Sequence, residues 1–177
     1  MREPSTTTAP GPTPEITASL LDTSSPTIAT LAVGTPVNPA GLGVRTFVSS
    51  THGFALWMDL RHTYPTVTTD GGRTWRIDGP VFHLAAAQAS LAVSEMGAVQ
   101  PDTAFSWGPV ASVVYTTTDG GVHWWAASLG DGTLALAGNV TGVLTAVVAS
   151  DYASDGTYKT EVYQSSDGGH HWTLHRS

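Results

Sequence analysis

An acid, two glycines and a tryptophan recur three times at almost constant spacing. The copies read TTDGGRTW at Thr68–Trp75, TTDGGVHW at Thr117–Trp124 and SSDGGHHW at Ser165–Trp172. Asp70, Asp119 and Asp167 stand 49 and 48 residues apart. A unit repeating at that length is a single piece of supersecondary structure, which must stack on its neighbours to bury a core. The recurrence therefore restricts the chain to repeat architectures before any residue-level chemistry is considered.

Each copy lies in the same setting. Alternating runs precede it (YPTVTTDGG, SVVYTTTDGG, TEVYQSSDGG) and short β-rich runs follow it (RTWRID, VHWWAAS, HHWTLHRS). Two such runs joined at Asp-Gly-Gly read as a β-hairpin. Further upstream come GFALWMDL, TAFSWGPV and GVLTAVVAS, and before those GVRTFVSS, SLAVSEMG and GTLALAGN. Four strands in the same order, three times over, predict an all-β fold of propeller-like, four-stranded antiparallel blades. The repeats fall near 44–80, 81–130 and 131–177. The opening strand of the first is expected to borrow from TIATLAVGTPVNPAG, whose Pro36 and Pro39 suit an edge or loop, and Pro65 suggests an edge or strand-start position. HLAAAQASLAVSEMG is the one helix-tolerant piece, and the repeat argues for strand over much of it. Asp22 lies 48 residues before Asp70, but LLDTSSPT keeps neither the glycines nor the Trp. It is a coincidence or a decayed, partial repeat.

The recurring octapeptide resembles the Asp box, or BNR repeat: Ser/Thr-x-Asp-x-Gly-x-Thr-Trp. This motif belongs to β-propellers of the sialidase, sortilin-type and photosystem II assembly factor kinds. Thr68, Asp70, Gly72, Thr74 and Trp75 match every position. Thr117, Asp119, Gly121 and Trp124 match in the second copy and Ser165, Asp167, Gly169 and Trp172 in the third, with His123 and His171 in place of Thr. The residue types suit a clasp. Glycine supplies positive φ, the carboxylate accepts turn N–H groups, and Trp covers the turn. The resemblance implies the same structural role, on the blade rim and away from any central site.

Composition narrows the function. Charged residues are 12% against ~25% in typical soluble proteins. Lys159 is the only lysine, and the net charge is -7. With no basic cluster to neutralise phosphates, nucleic acid is excluded as a partner. No cysteine is present, which removes disulfides, thiol nucleophiles and Cys-ligated zinc. Residues 1–26 open Pro/Thr-rich and read as an unpacked stalk or linker ahead of a repeat domain at 27–177, such as would follow a cleaved signal or a membrane anchor. This points to an extracytoplasmic bacterial protein.

No catalytic constellation emerges. The resemblance to sialidases implies a Tyr nucleophile and three Arg clamping a sugar carboxylate, but only Arg45 and Arg61 lie outside the tail, the Asp-box hairpin and the C-terminal end. His170, His171 and His175 read as surface residues; on a strand His171 and His175 share a face, about 13 Å apart. SDYASDGTYK, at Ser150–Lys159, reads as an acidic hairpin turn rather than a Ca²⁺ loop. Trp57, Trp107 and Trp125 are the candidate ligand contacts. Trp57 and Trp107, at matched places on inner strands, line a groove or fill the space between blades, the second being favoured, and one ring of the Trp124–Trp125 pair should face outward. No cofactor and no metal site is expected. The expected function is a non-catalytic exported module that binds a protein or glycan or assists assembly. The alternatives are a partial or degenerate glycoside hydrolase and a purely structural domain of a larger chain. Three blades fall short of the roughly four to eight of known propellers. The chain is then part of a longer propeller, an open array covered by its N-terminal segment, or half of a homo-oligomeric ring.

Overall fold

The computed structural model describes residues 14–21, 31–59, 62–82 and 93–175. Asp22 and most of HLAAAQASLAVSEMG lie outside them. Three antiparallel sheets follow one another along the chain. Two short strands come first, β1 (Glu15–Thr17) and β2 (Ser19–Leu20). The first blade is β3 (Leu42–Phe47), β4 (Gly53–Met58), β5 (Thr63–Thr68) and β6 (Arg76–Ile77). The second is β7 (Glu95–Gln100), β8 (Thr103–Trp107), β9 (Val113–Thr117) and β10 (Trp125–Ser128). The third is β11 (Gly132–Gly138), β12 (Leu144–Ser150), β13 (Lys159–Ser165) and β14 (His171–His175). Each blade is an up-and-down meander, so the all-β, propeller-like expectation holds. Among the described residues the only helical element is a 3-10 turn at Pro39–Gly41.

The alternation of the sequence becomes two-sided burial. Phe54, Leu56 and Val67 of the first blade pack with Met96, Ala104, Tyr115 and Trp124 of the second. Phe105, Val114 and Ala127 of the second pack with Leu144, Ala146, Val148, Tyr163 and Trp172 of the third. The middle blade is thus apolar on both faces, as a stacked repeat must be. All three inner hairpins (β3–β4, β7–β8 and β11–β12) carry a register irregularity, at Leu42/Arg45, Ala98/Gln100 and Thr133/Ala135. Such bulges add local twist.

Three expectations are corrected. The N-terminal segment packs from Pro14 to Leu21 instead of hanging free as a stalk. β1 pairs with β14, and β2 pairs with β10. Between them Ala18 is 6% exposed and donates its N–H to His170 O at 2.8 Å. Ile16 and Leu21 pack against the two inter-blade cores. Secondly, the described part of TIATLAVGTPVNPAG, from Leu31, gives the first blade no opening strand and takes the edge position that its prolines suit. Its Gly34–Val37 portion lies along the outer edge of β6, with Gly34 N–H donating to Ile77 O and Ile77 N–H to Thr35 O. Val37 then covers Tyr64, Ile77 and Val81. The segment before β3 therefore straps the outer edges of all three blades, the third first. Thirdly, Pro65 sits inside the central strand β5, opposite Leu56. Its carbonyl accepts from Asp78 N–H on the β6 side, so its nitrogen also points there. The N–H that would answer the Asp78 carbonyl is missing, and that carbonyl accepts from Trp124 Nε1 at 3.1 Å instead. Of SLAVSEMG, Val93 and Ser94 precede β7, and the first three residues lie outside the described ones.

Candidate functional site

The three Asp-Gly-Gly turns are built alike. In the first, Thr68 Oγ1 donates to Asp70 Oδ1 at 2.8 Å and accepts from Gly72 N–H at 2.9 Å. Asp70 also accepts from Thr74 N–H at 3.0 Å and from Thr74 Oγ1 at 2.7 Å. In the second, Thr117 and Asp119 repeat this, with His123 supplying its N–H at 2.9 Å and its ring Nδ1 at 2.6 Å. In the third, Ser165 and Asp167 do the same with His171, at 3.0 and 2.6 Å. The histidines that break the Thr pattern therefore place a ring nitrogen where Thr74 places a hydroxyl.

Both glycines of every turn have positive φ, 71° and 88° at Gly120 and Gly121, which side chains with a Cβ rarely adopt. The first glycine of each pair also ties its turn to the adjacent inner hairpin. Gly71, Gly120 and Gly168 donate to Thr51, Asp102 and Gly142 carbonyls, each at 2.9 Å. The turns are clasps between the two hairpins of a blade.

The carboxylates are committed to these bonds. Hydrogen bonds from the Thr74 backbone, the Thr74 hydroxyl and Thr68 bring Asp70 down to about 2. Burial alone would raise Asp167, but the bonds from His171 and Ser165 outweigh it and bring it to about 2. Asp119 is lowered in the same balance, burial against His123 and Thr117. His171 is raised by its bond to Asp167.

The tryptophans differ. Trp75 and Trp172 donate Nε1 to Gly72 O and Gly169 O of their own turns, at 3.1 and 2.8 Å. Trp124 reaches instead to the first blade and donates to Asp78 O at 3.1 Å. All three rings are buried.

No family model matches the sequence and no curated protein matches it. Among solved structures, "YCF48 bound to D1 peptide" is similar with a TM-score of 0.46 and 18% identity, over 90% of this chain and 42% of that one. YCF48 from Cyanidioschyzon merolae gives 0.39 and 16%, over 91% and 60%. The chain thus spans less than two thirds of either.

The candidate ligand tryptophans do not form one surface. Trp57 is half-buried beneath the Pro39–Gly41 turn, its ring 5.9 Å from Tyr64. Trp107 and Trp125 pack on the core between the second and third blades. Trp125 lies against His170, ring centroids 4.4 Å apart. No group of three metal-ligating side chains occurs among the described residues.

Two features away from the motif stand out. The end opposite the clasps carries the β8–β9 loop and the Asp151–Tyr158 hairpin tip, where Val110 is 73% exposed, Tyr152 49% and Tyr158 47%. At the junction of the first two blades, Asp78 Oδ2 is buried with no hydrogen-bond partner among the described residues, against Gly121. Neither feature has a motif; the tyrosines could have been picked out only as aromatics in an otherwise polar turn.

Asp78 makes stability depend on pH. Burial, reinforced by Asp119 and opposed by Arg76, pushes its carboxyl up to about 7. The folded state therefore holds a proton that the unfolded chain gives up near 3.8, and stability falls as pH rises between the two. The clasp aspartates act on the other side, since their contribution is lost as pH falls towards 2. Urea unfolding should thus give maximal stability near about pH 4. Asp78→Asn should flatten the fall above that pH, which is worth roughly 2–4 kcal/mol by pH 8. An unchanged slope in the variant would remove Asp78 as its cause.

Proposed function

We propose that this chain is a non-catalytic Asp-box module that binds a protein partner through the end opposite its clasps. One observation carries the reading. Each clasp carboxylate is engaged by its own turn, while the opposite end exposes Val110 and the paired rings of Tyr152 and Tyr158. The clasp end exposes Phe47, Val122 and Val140, with no comparable pair of exposed rings among the described residues. Tyrosines on a short hairpin offer large contact area at low entropic cost. Supporting residues differ from the tryptophans expected from sequence, which are drawn into packing. The lysine-poor composition and the Pro/Thr-rich opening support an extracytoplasmic setting.

Panning a displayed random-peptide library against the domain tests this. Enriched peptides should protect residues 108–112 and 150–159 from hydrogen exchange. No enrichment, protection confined to the clasp turns, capture of glycans alone, or hydrolysis of aryl glycosides would each contradict it.

A further inference from the structure

The exposed tyrosines sit in a particular electrostatic setting. Tyr152 and Tyr158 face each other across the hairpin tip, ring centroids 5.1 Å apart and inclined by 50°. Each ring keeps about half its surface open. Asp151 and Asp155 lie in the tip and Glu161 on β13 just after it, and Asp131 stands beside the hairpin's base, its N–H donating to Ala149 O at 3.0 Å. The nearby cation, Lys159, is bound to Asp151 at 2.6 Å. Asp155 accepts from Thr157 N–H and Oγ1 at 2.9 and 2.7 Å, which fixes its carboxylate within the turn. The whole chain carries -7.

Resting on the binding surface above, we propose that the Tyr152–Tyr158 tip recognises Arg- or Lys-bearing segments of its protein partner. An aromatic face attracts a cation through its quadrupole, and the planar guanidinium also stacks on it. The carboxylates add long-range attraction and repel anionic surfaces. An anionic membrane or an acidic peptide would meet like charge here. The tyrosine pair confines the cation to the tip, which net charge alone would leave free to roam over the surface. A single exposed contact of this kind is weak, so recognition draws on several basic residues in one extended segment.

The probe is a short peptide of alternating Gly and Arg, compared with the same peptide carrying citrulline, a neutral isostere of arginine. Binding is followed by amide chemical shifts of the labelled domain. The arginine peptide should shift residues 150–159 and bind about tenfold tighter than the citrulline peptide, and more weakly as salt is raised. Tyr152→Ala with Tyr158→Ala should weaken binding by about tenfold, and the paired Phe variants should restore it, since they keep the ring faces. Equal binding of the two peptides at the tyrosines would overturn the cation preference while leaving the binding surface in place. Arginine-peptide binding indifferent to the Ala substitutions, or shifts away from the tip, would overturn the proposal itself. An absence of any shift would do the same.

Discussion

A chain lacking residues 1–21 should aggregate under conditions where the full chain does not. The segment from Pro14 to Leu21 supplies the outermost strands of two sheets, paired Glu15↔Thr173 to Thr17↔His171 and Leu20↔Trp125. Leu21 N–H donates to Trp124 O at 2.8 Å, and Leu174 N–H to Pro14 O at 3.3 Å. Ala18 fills the rim between the second and third blades, with Ile16 and Leu21 on either side. Losing these contacts costs about 3 kcal/mol or more in burial and hydrogen bonds. It also opens the edges of β10 and β14, and unpaired strand edges template association. Light scattering and thermal unfolding should show both effects. A truncation ending before Pro14 should show neither, because it keeps every one of these contacts. A synthetic peptide spanning Pro14–Leu21 should restore solubility in trans. A Δ1–21 chain as stable and as free of aggregates as its parent would refute the strap.

Trp124→Ala is the second large effect. The ring is 0% exposed, stands edge-on to Phe82 at 5.0 Å, and Phe82 in turn stacks on Tyr115 at 4.2 Å. Truncation leaves a cavity between two blades and strips the Asp78 carbonyl of its donor. The expected loss is about 3–5 kcal/mol, or roughly 10 °C in Tm for a domain of this size. Trp124→Phe retains most of the apolar volume and should lose clearly less. Trp125→Ala, one residue on, should lose least of the three, because that ring is only half-buried. Equal losses at Trp124 and Trp125 would show that the clasp ring does not join the blades. Calorimetry on the three variants decides it.

The repeat was legible because its physics is local. Positive φ at paired glycines, a carboxylate answering turn amides and a ring beneath the turn are all dictated within eight residues. Four β-rich runs in constant order then fixed the meander. The strap was not legible. Strands of two or three residues carry no periodicity, and a segment beginning Pro/Thr-rich gives no signal of the edges it will cover. What covers the candidate tryptophans was not legible, for a different reason. Alternation tells which face of a sheet a residue occupies, but not what lies over that face. Trp57 is covered by a turn from the N-terminal segment, a contact between residues distant along the chain. Asp78 was invisible too, since its burial depends on Gly121 of the next blade. Tyr152 and Tyr158 were part of a stretch read correctly as a hairpin turn. Their exposure and their pairing depend on the tertiary course of the hairpin, which turn composition does not specify.

Separating clasp from binding surface is the central claim, and one paired measurement addresses it. Asp119→Ala and the Tyr152→Ala/Tyr158→Ala double variant are compared for thermal stability and for affinity towards a library-selected peptide. The account expects Asp119→Ala to lower Tm and to bind normally below its transition. It expects the tyrosine variant to keep its Tm and lose the peptide. A folded Asp119→Ala domain that no longer binds, beside a tyrosine variant that does, would contradict it.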